Sequence, residues 1–375
     1  MKNTKLGIIG GGQLGMLLVQ SAIQFPVYVA IFDPDEDCAA SSYTNHFVRG
    51  DFEDYEAVLN FGLQHDAVIF ETEKTNVQAL LELQRRGITV VSSPQSLQWI
   101  QDKGMQKEKL QSVGIPVVPS EWVAAGQIRG YTGKFPVVQK WCTGGYDGYG
   151  VAMHLDASTL KNAKEVDSIF EHKVAIWKEI SIMLARDKQG SIALYPAVEM
   201  VFDPDANLVD YLIAPARLEP SLTKSMEAVC MTLAEKLDLR GVYAVEFFVD
   251  QDQTVFVNEI SPRPHNSGHH TVSGNITSQY EQQVRIALGL PLGSTEQITP
   301  CVLVNLLAEN VSGTTQYEGL REAYQIPNVQ YTLYGKQQVR PRRKMGHAVI
   351  LEKSLETALE RMRDIRNTLR ITAYE

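Results

Sequence analysis

Short apolar runs alternate with helix-period segments at the start of this chain, and no other feature restricts the fold as strongly. Lys5–Ile9, Val27–Phe32, Asp66–Phe70 and Ile88–Val91 read as buried strands, with helices over Gln13–Gln24 and Val77–Arg86 between them. Strands without a polar face need cover on both sides, and strand–helix alternation supplies it as a parallel sheet between helices. Ser93-Pro94 closes this unit. A helix over Asp102–Val113 follows, and then a strand, Pro136–Lys140. Between Val151 and Val249 strands and helices mix without a βαβ rhythm, which predicts α+β structure. From Pro300 onward come strands near Cys301–Leu307 and His347–Leu351 and a helix over Leu355–Arg366.

At 375 residues the chain exceeds one ordinary core and predicts two or three domains. A net charge of −9 repels nucleic acid and anionic membrane, so any phosphate site must be local. The four cysteines, Cys38, Cys142, Cys230 and Cys301, lack the paired spacing of a zinc or redox motif and fit a reducing compartment. Neither a signal peptide nor a membrane-spanning run is read, so the expected location is the cytoplasm.

Gly10-Gly11-Gly12-Gln13-Leu14-Gly15 lies between a strand and a helix, and Asp33 ends the next strand 18 residues after Gly15. That pattern matches the dinucleotide fingerprint with its ribose acid. It fits equally a tight turn whose helix N-terminus holds another phosphate or nothing. The loop alone leaves both open.

A second glycine loop, Gly144–Gly150, holds four glycines in seven residues just after Lys140. Its backbone N–H groups can approach phosphates, and the lysine adds a compact charge; a plain hairpin turn is the alternative. Lys103, on the helix upstream, reads by itself as a solvated lysine.

Glu246 sits mid-strand in the apolar run Val242–Val249, and the chain returns through Thr254–Ile260. A short loop would set Glu246 opposite Val257, with Glu259 two positions on and on the same face. Two poorly hydrated carboxylates need cations, and Mg²⁺ suits oxygen ligands. Arginine partners or a strand end in solvent are the alternatives. Ser261–His270 then concentrates Arg263, His265 and Asn266 in a proline-stiffened loop, without the spacing of a zinc site. Lys336 and the run Arg340–Lys344 form a basic cluster that reads either as a phosphate grip or as a solvated face.

Together these pieces resemble the ATP-grasp family, and within it the branch that makes N5-carboxyaminoimidazole ribonucleotide. The resemblance spans nearly the whole chain and rests on Gly10–Gly15, Gly144–Gly148, Glu179–Ser181, Val257–His269 and Arg343–His347. It implies an ATP-grasp fold, α/β and α+β, with an N-terminal Rossmann-like parallel-sheet domain (1–96), a two-part ATP-grasp domain (97–300) and a small C-terminal substrate-binding domain (301–375). The implied activity is ATP-dependent carboxylation of 5-aminoimidazole ribonucleotide with bicarbonate in purine biosynthesis. An NAD-dependent oxidoreductase and a formate-dependent transformylase are the rival readings.

The resemblance also implies site residues. Lys103, Lys140 and the loop Gly145, Tyr146, Asp147, Gly148, Tyr149 and Gly150 would hold ATP. Glu171, His172, Lys173 and Val174 would form the adenine hinge, and Glu179 would bind ribose. Glu246 and Glu259 would hold Mg²⁺, with Mn²⁺ as the alternative ion and Asn258 beside them. Gln13, Leu14, Glu73, Arg263, His265, Asn266, Lys336, Arg343 and Lys344 would bind the ribonucleotide. Tyr146, Asp147, Arg263 and Lys344 would be catalytic, Asp147 as the base that takes the amine proton. The expected partners are ATP, bicarbonate, the ribonucleotide and a second copy in a homodimer, but no nucleic acid or membrane.

Overall fold

A computed structural model describes residues 4–374 except 45, 146–148 and 204–207, with the side chains of 203 and 208 also outside the description. The expected parallel sheet is present. Its strands run in the order Phe47–Arg49, Val27–Asp33, Thr4–Ile9, Ala67–Phe70, Thr89–Val91, all parallel. The strand order reverses beside Thr4–Ile9, so the crevice beyond that strand is the natural ligand position of a sheet of this kind. The edge strand Phe47–Arg49 and the helices Tyr55–Gly62 and Pro94–Ile100 are additions to the sequence reading.

Gly10 and Gly15 explain the first glycine loop. Gly10 has φ +105° and abuts the Glu71 side chain, while a Cβ on Gly15 would lie 2.1 Å from the Gly10 carbonyl oxygen. Only glycine lets the helix Gln13–Ala22 start this close to its strand.

A larger sheet forms the middle of the molecule. Its order is Val255–Ser261, Gly241–Asp250, Ile176–Arg186, Val198–Asp203, Leu208–Ala214, Cys301–Leu307, Lys344–Leu351, Val329–Leu333, with Ile192–Leu194 paired to Ile176–Arg186. The strands after residue 300 therefore continue this sheet while packing a core of their own around Met345, Ile350, Met362 and Ile365. A separate four-stranded antiparallel sheet, Ser120–Val123, Ser168–His172, Val137–Trp141 and Val151–His154, faces one end. The helix Pro220–Lys236, which sequence reading left within mixed structure, buries Met226, Cys230 and Leu233 beneath the large sheet.

Two packings fix how these parts meet. One core joins Leu14, Leu17 and Leu18 of the first helix to Tyr280 and Val284 of the helix Gln279–Ala287 and to Val242 and Ala244 of the large sheet. Burying such side chains contributes roughly 1.5–3 kcal/mol each. The helix Lys103–Ser112, begun by the Asp102 side chain accepting from Met105 N, is pinned through Gln106. Gln106 accepts from Ile260 N (2.8 Å) and donates to the Ile260 carbonyl (3.2 Å). That bond pair sets Lys103 over the carboxylate hairpin.

Candidate active site

The hairpin Gly241–Asp250/Val255–Ser261 carries the expected acids, but its register differs from the sequence reading. Glu246 lies opposite Glu259, not Val257; Phe247 is the partner of Val257. The pairing shifts between these two pairs, leaving Asn258 as the extra residue of a bulge. The bulged Asn258 accepts a 2.7 Å hydrogen bond from Lys140 Nζ.

On the adjoining strand Ser181 pairs with Glu246 and Glu179 with Phe248, so strand alternation brings Glu179, Ser181, Glu246 and Phe248 to one face. Lys140 stands 5.3 Å over the Phe248 ring. Lys103 forms an ion pair with Glu259. His265 Nε2 lies 3.5 Å from Glu246, and its Nδ1 and the Ser181 hydroxyl both meet the Ser267 hydroxyl, at 2.9 and 2.7 Å.

The electrostatics show a site short of positive charge. Burial, then the Glu259 and Glu179 charges, push the Glu246 carboxyl well above its ordinary range. Lys103 holds Glu259 below its ordinary range against the opposing effect of burial. Burial raises Glu179 to about 7, with Lys140 opposing and Glu259 adding to the rise. One lysine offsets one of two opposed carboxylates, and the second is left without a full counter-charge. Among the described residues no group of three His, Cys, Asp or Glu side chains completes a metal shell from protein alone.

Glu171 is buried between two lysines, with Lys140 at 2.8 Å and Lys107 on its other oxygen. Its side chain is thus engaged inside the cleft, while the backbone of His172 is tied to Pro119 by a 3.0 Å bond. Lys107 was not read from the sequence. The available signal was its spacing, one helical turn beyond Lys103 and on the same face.

A second group of expected residues gathers at the crevice of the parallel sheet. Arg263 Nε donates to Glu73 at 2.9 Å. Lys336 Nζ donates to Gln13 (3.1 Å) and to the Lys344 carbonyl (2.9 Å). Arg343 donates to the Gln338 carbonyl at 2.6 Å. Leu14 is buried in the core beside this loop, and the Asn266 side-chain oxygen is buried without a hydrogen-bond partner. Tyr149 meets the Trp141 ring edge-on at 4.9 Å, so its loop begins and ends near Lys140. Tyr146, Asp147 and Gly148 lie outside the described residues.

The dinucleotide reading fails at the loop's own N–H groups. Asp33 accepts from Gly11 N at 2.6 Å and Glu71 from Gly12 N at 2.9 Å. Two carboxylates hold the place a pyrophosphate would need. Glu71, also missed in the sequence, is partly buried and raised to about 7 by desolvation, against the pull of Arg263 and Gly12.

A large antiparallel sheet carrying paired glutamates, opposed by a small lysine-bearing sheet with a glycine loop, defines an ATP-grasp protein. Family models agree segment by segment: a ribonucleotide synthetase preATP-grasp domain over residues 1–101, an ATP-grasp domain over 108–280 and a phosphoribosylaminoimidazole carboxylase C-terminal domain over 301–361. The chain is 32% identical to the N5-carboxyaminoimidazole ribonucleotide synthase of Bacillus subtilis, over 92% of this chain and 91% of that one. It superposes on the Thermotoga maritima N5-carboxyaminoimidazole ribonucleotide synthetase with TM-score 0.90 and 37% identity, over 99% of this chain and 100% of that one. The Aspergillus clavatus N5-carboxyaminoimidazole synthase, solved with ADP and 5-aminoimidazole ribonucleotide, superposes with TM-score 0.86 and 27% identity, over 98% of this chain and 99% of that one. The chain belongs to the N5-carboxyaminoimidazole ribonucleotide synthase family.

Proposed function

We propose that the protein joins bicarbonate to the exocyclic amine of 5-aminoimidazole ribonucleotide at the expense of ATP, giving N5-carboxyaminoimidazole ribonucleotide, ADP and phosphate. The observation that carries this reading is the convergence of Lys103, Lys140, Asn258, Glu246 and Glu259 at one place, with Arg263 and His265 on the loop that leaves the same hairpin. That loop leads from a phosphate-type site to the Glu73, Gln13 and Lys336 cluster.

In this reading Lys103 and Lys140 hold the ATP phosphates, the backbone from Glu171 to Val174 lies along adenine, and Glu179 binds ribose. Glu246 and Glu259 would hold Mg²⁺, or Mn²⁺ in its place; the raised Glu246 carboxyl is the feature of the chain that fits a divalent cation. Held by these two carboxylates, such an ion would supply neutralisation of phosphate charge in phosphoryl transfer. Gln13, Leu14, Glu73, Arg263, His265, Asn266, Lys336, Arg343 and Lys344 form the ribonucleotide side.

Chemistry then proceeds in two steps. The ATP γ-phosphoryl group passes to a bicarbonate oxygen, giving carboxyphosphate, which breaks down to carbon dioxide and phosphate. The ribonucleotide amine attacks carbon dioxide and loses a proton to Asp147. Tyr146, Arg263 and Lys344 orient the carboxyl oxygens. The labour divides among an N-terminal unit (1–96), the ATP-grasp unit (97–300) and the C-terminal segment (301–375). Among the described residues no helix is long and apolar enough to cross a membrane. A cytoplasmic homodimer fits this reading.

The test is isotopic. Bicarbonate labelled with ¹⁸O should pass one label into the inorganic phosphate formed. Unlabelled phosphate during full turnover would exclude carboxyphosphate.

A further inference from the structure

Beneath the phosphate end of the cleft lies a cation that the reaction above does not use. Lys107 is 5% exposed, and its ammonium donates to the Val118 carbonyl at 3.0 Å while pairing with Glu171. The other Glu171 oxygen meets Lys140 at 2.8 Å. A small cavity is lined by these three side chains together with Leu110, Ile169 and Asn258. One carboxylate thus serves two lysines. Burial outweighs Glu171 at Lys107 and pushes it down to about 8, helped by repulsion from Lys140 and Lys103. Glu171 itself stays below its ordinary range, because two lysines overcome its burial.

The excess cation has a use once a nucleotide enters. A phosphate oxygen competes with Glu171 for Lys140. If Lys140 left and no other cation remained, Glu171 would become an unpaired buried carboxylate beside a triphosphate, a strongly unfavourable arrangement. With Lys107 in place the charge stays balanced one to one. We propose that Lys107 is a positioning residue for nucleotide binding: by staying on Glu171 it frees Lys140 to exchange that carboxylate for a phosphate oxygen. The inference rests on the proposed ATP site.

The experiment measures ATP and 5-aminoimidazole ribonucleotide affinities by calorimetry for the wild type, Lys107→Met, Lys107→Gln and Lys107→Met/Glu171→Gln. Methionine fills the space and leaves Glu171 and Lys140 as a neutral pair. Glutamine keeps a hydrogen-bond donor without charge. Both single variants should bind ATP at least ~30-fold more weakly, as expected when one partner of a buried charge pair is removed. Ribonucleotide affinity should be unchanged. Removing the Glu171 charge in the double variant should recover most of the loss, whereas a merely structural role for Lys107 would weaken ribonucleotide binding along with ATP binding. Wild-type ATP affinity in Lys107→Gln, or no recovery in the double variant, would overturn the inference. If Lys107→Met does not fold, Lys107→Gln decides alone. A wild type that binds no ATP would instead refute the proposed function.

Discussion

Glu246 and Glu259 face each other across their hairpin because Asn258 bulges out beside them. The bulge does two things at once. It opposes two carboxylates that a regular ladder would offset, and it turns the Asn258 amide oxygen toward Lys140. Lys103 then reaches Glu259 from the helix that Gln106 pins to Ile260.

Glu259→Gln should remove the charge that pairs with Lys103 and that a bound Mg²⁺ would share. ADP formation should fall at least about 100-fold, a loss of several kcal/mol of transition-state stabilisation. Steady-state ADP release at saturating Mg²⁺ measures it. Near-normal turnover would exclude Glu259 as a metal ligand.

Lys140→Ala and Arg343→Ala should affect different ligands. The first should weaken ATP about 10–100-fold and leave the ribonucleotide nearly untouched; the second should do the reverse. Separate titrations of the two ligands decide. Variants that both lose the same ligand would refute the division.

Glu71 contributes to the pH dependence of stability alongside Glu179 and Glu246. Its pKa is raised in the folded protein from 4.5 to about 7, so the folded state holds the proton more tightly than the unfolded chain. Its contribution is complete below about pH 4.5 and is lost as pH rises through 7. A shift of that size is on the order of 3 kcal/mol. Glu71→Gln keeps an acceptor for Gly12 N. It should match the wild type in thermal midpoint near pH 5 and exceed it near pH 8.5. Equal midpoints at both values would remove Glu71 as a source.

The sequence made some of this legible and hid the rest for physical reasons. The parallel unit could be read because its central strands are apolar on both faces and Gly10, Pro34 and Pro94 punctuate it. Glu246 and Glu259 stood out as acids in apolar strands. Their direct opposition did not, because a one-residue bulge leaves no mark in hydrophobic alternation. Lys107 looked like any lysine on a polar helix; its burial comes from the strand Ser168–His172 packing over it. Glu71 was overshadowed by Glu73, although Glu71 is the one that caps the glycine loop. The helix Pro220–Lys236 carries a readable apolar stripe, Leu222, Met226, Cys230 and Leu233, that the sequence reading passed over within its mixed α+β stretch.

Asp147 carries the sharpest expectation for the second step. Asp147→Asn should bind both nucleotides normally yet form product at least ~100-fold more slowly. Any ATP it cleaves should be uncoupled from carboxylation. Lost ligand affinity with normal coupling would make Asp147 a loop residue instead of the base.

If one cleft couples ATP cleavage to carboxylation of the ribonucleotide, carboxylated product and ADP must form in a fixed ratio. ADP and N5-carboxyaminoimidazole ribonucleotide should be quantified together, with each of ATP, bicarbonate and 5-aminoimidazole ribonucleotide omitted in turn. Coupling gives one product per ADP with all three present, and no product when any one is missing. ADP formed at the full rate with no carboxylated product, or product formed without ATP, would contradict it.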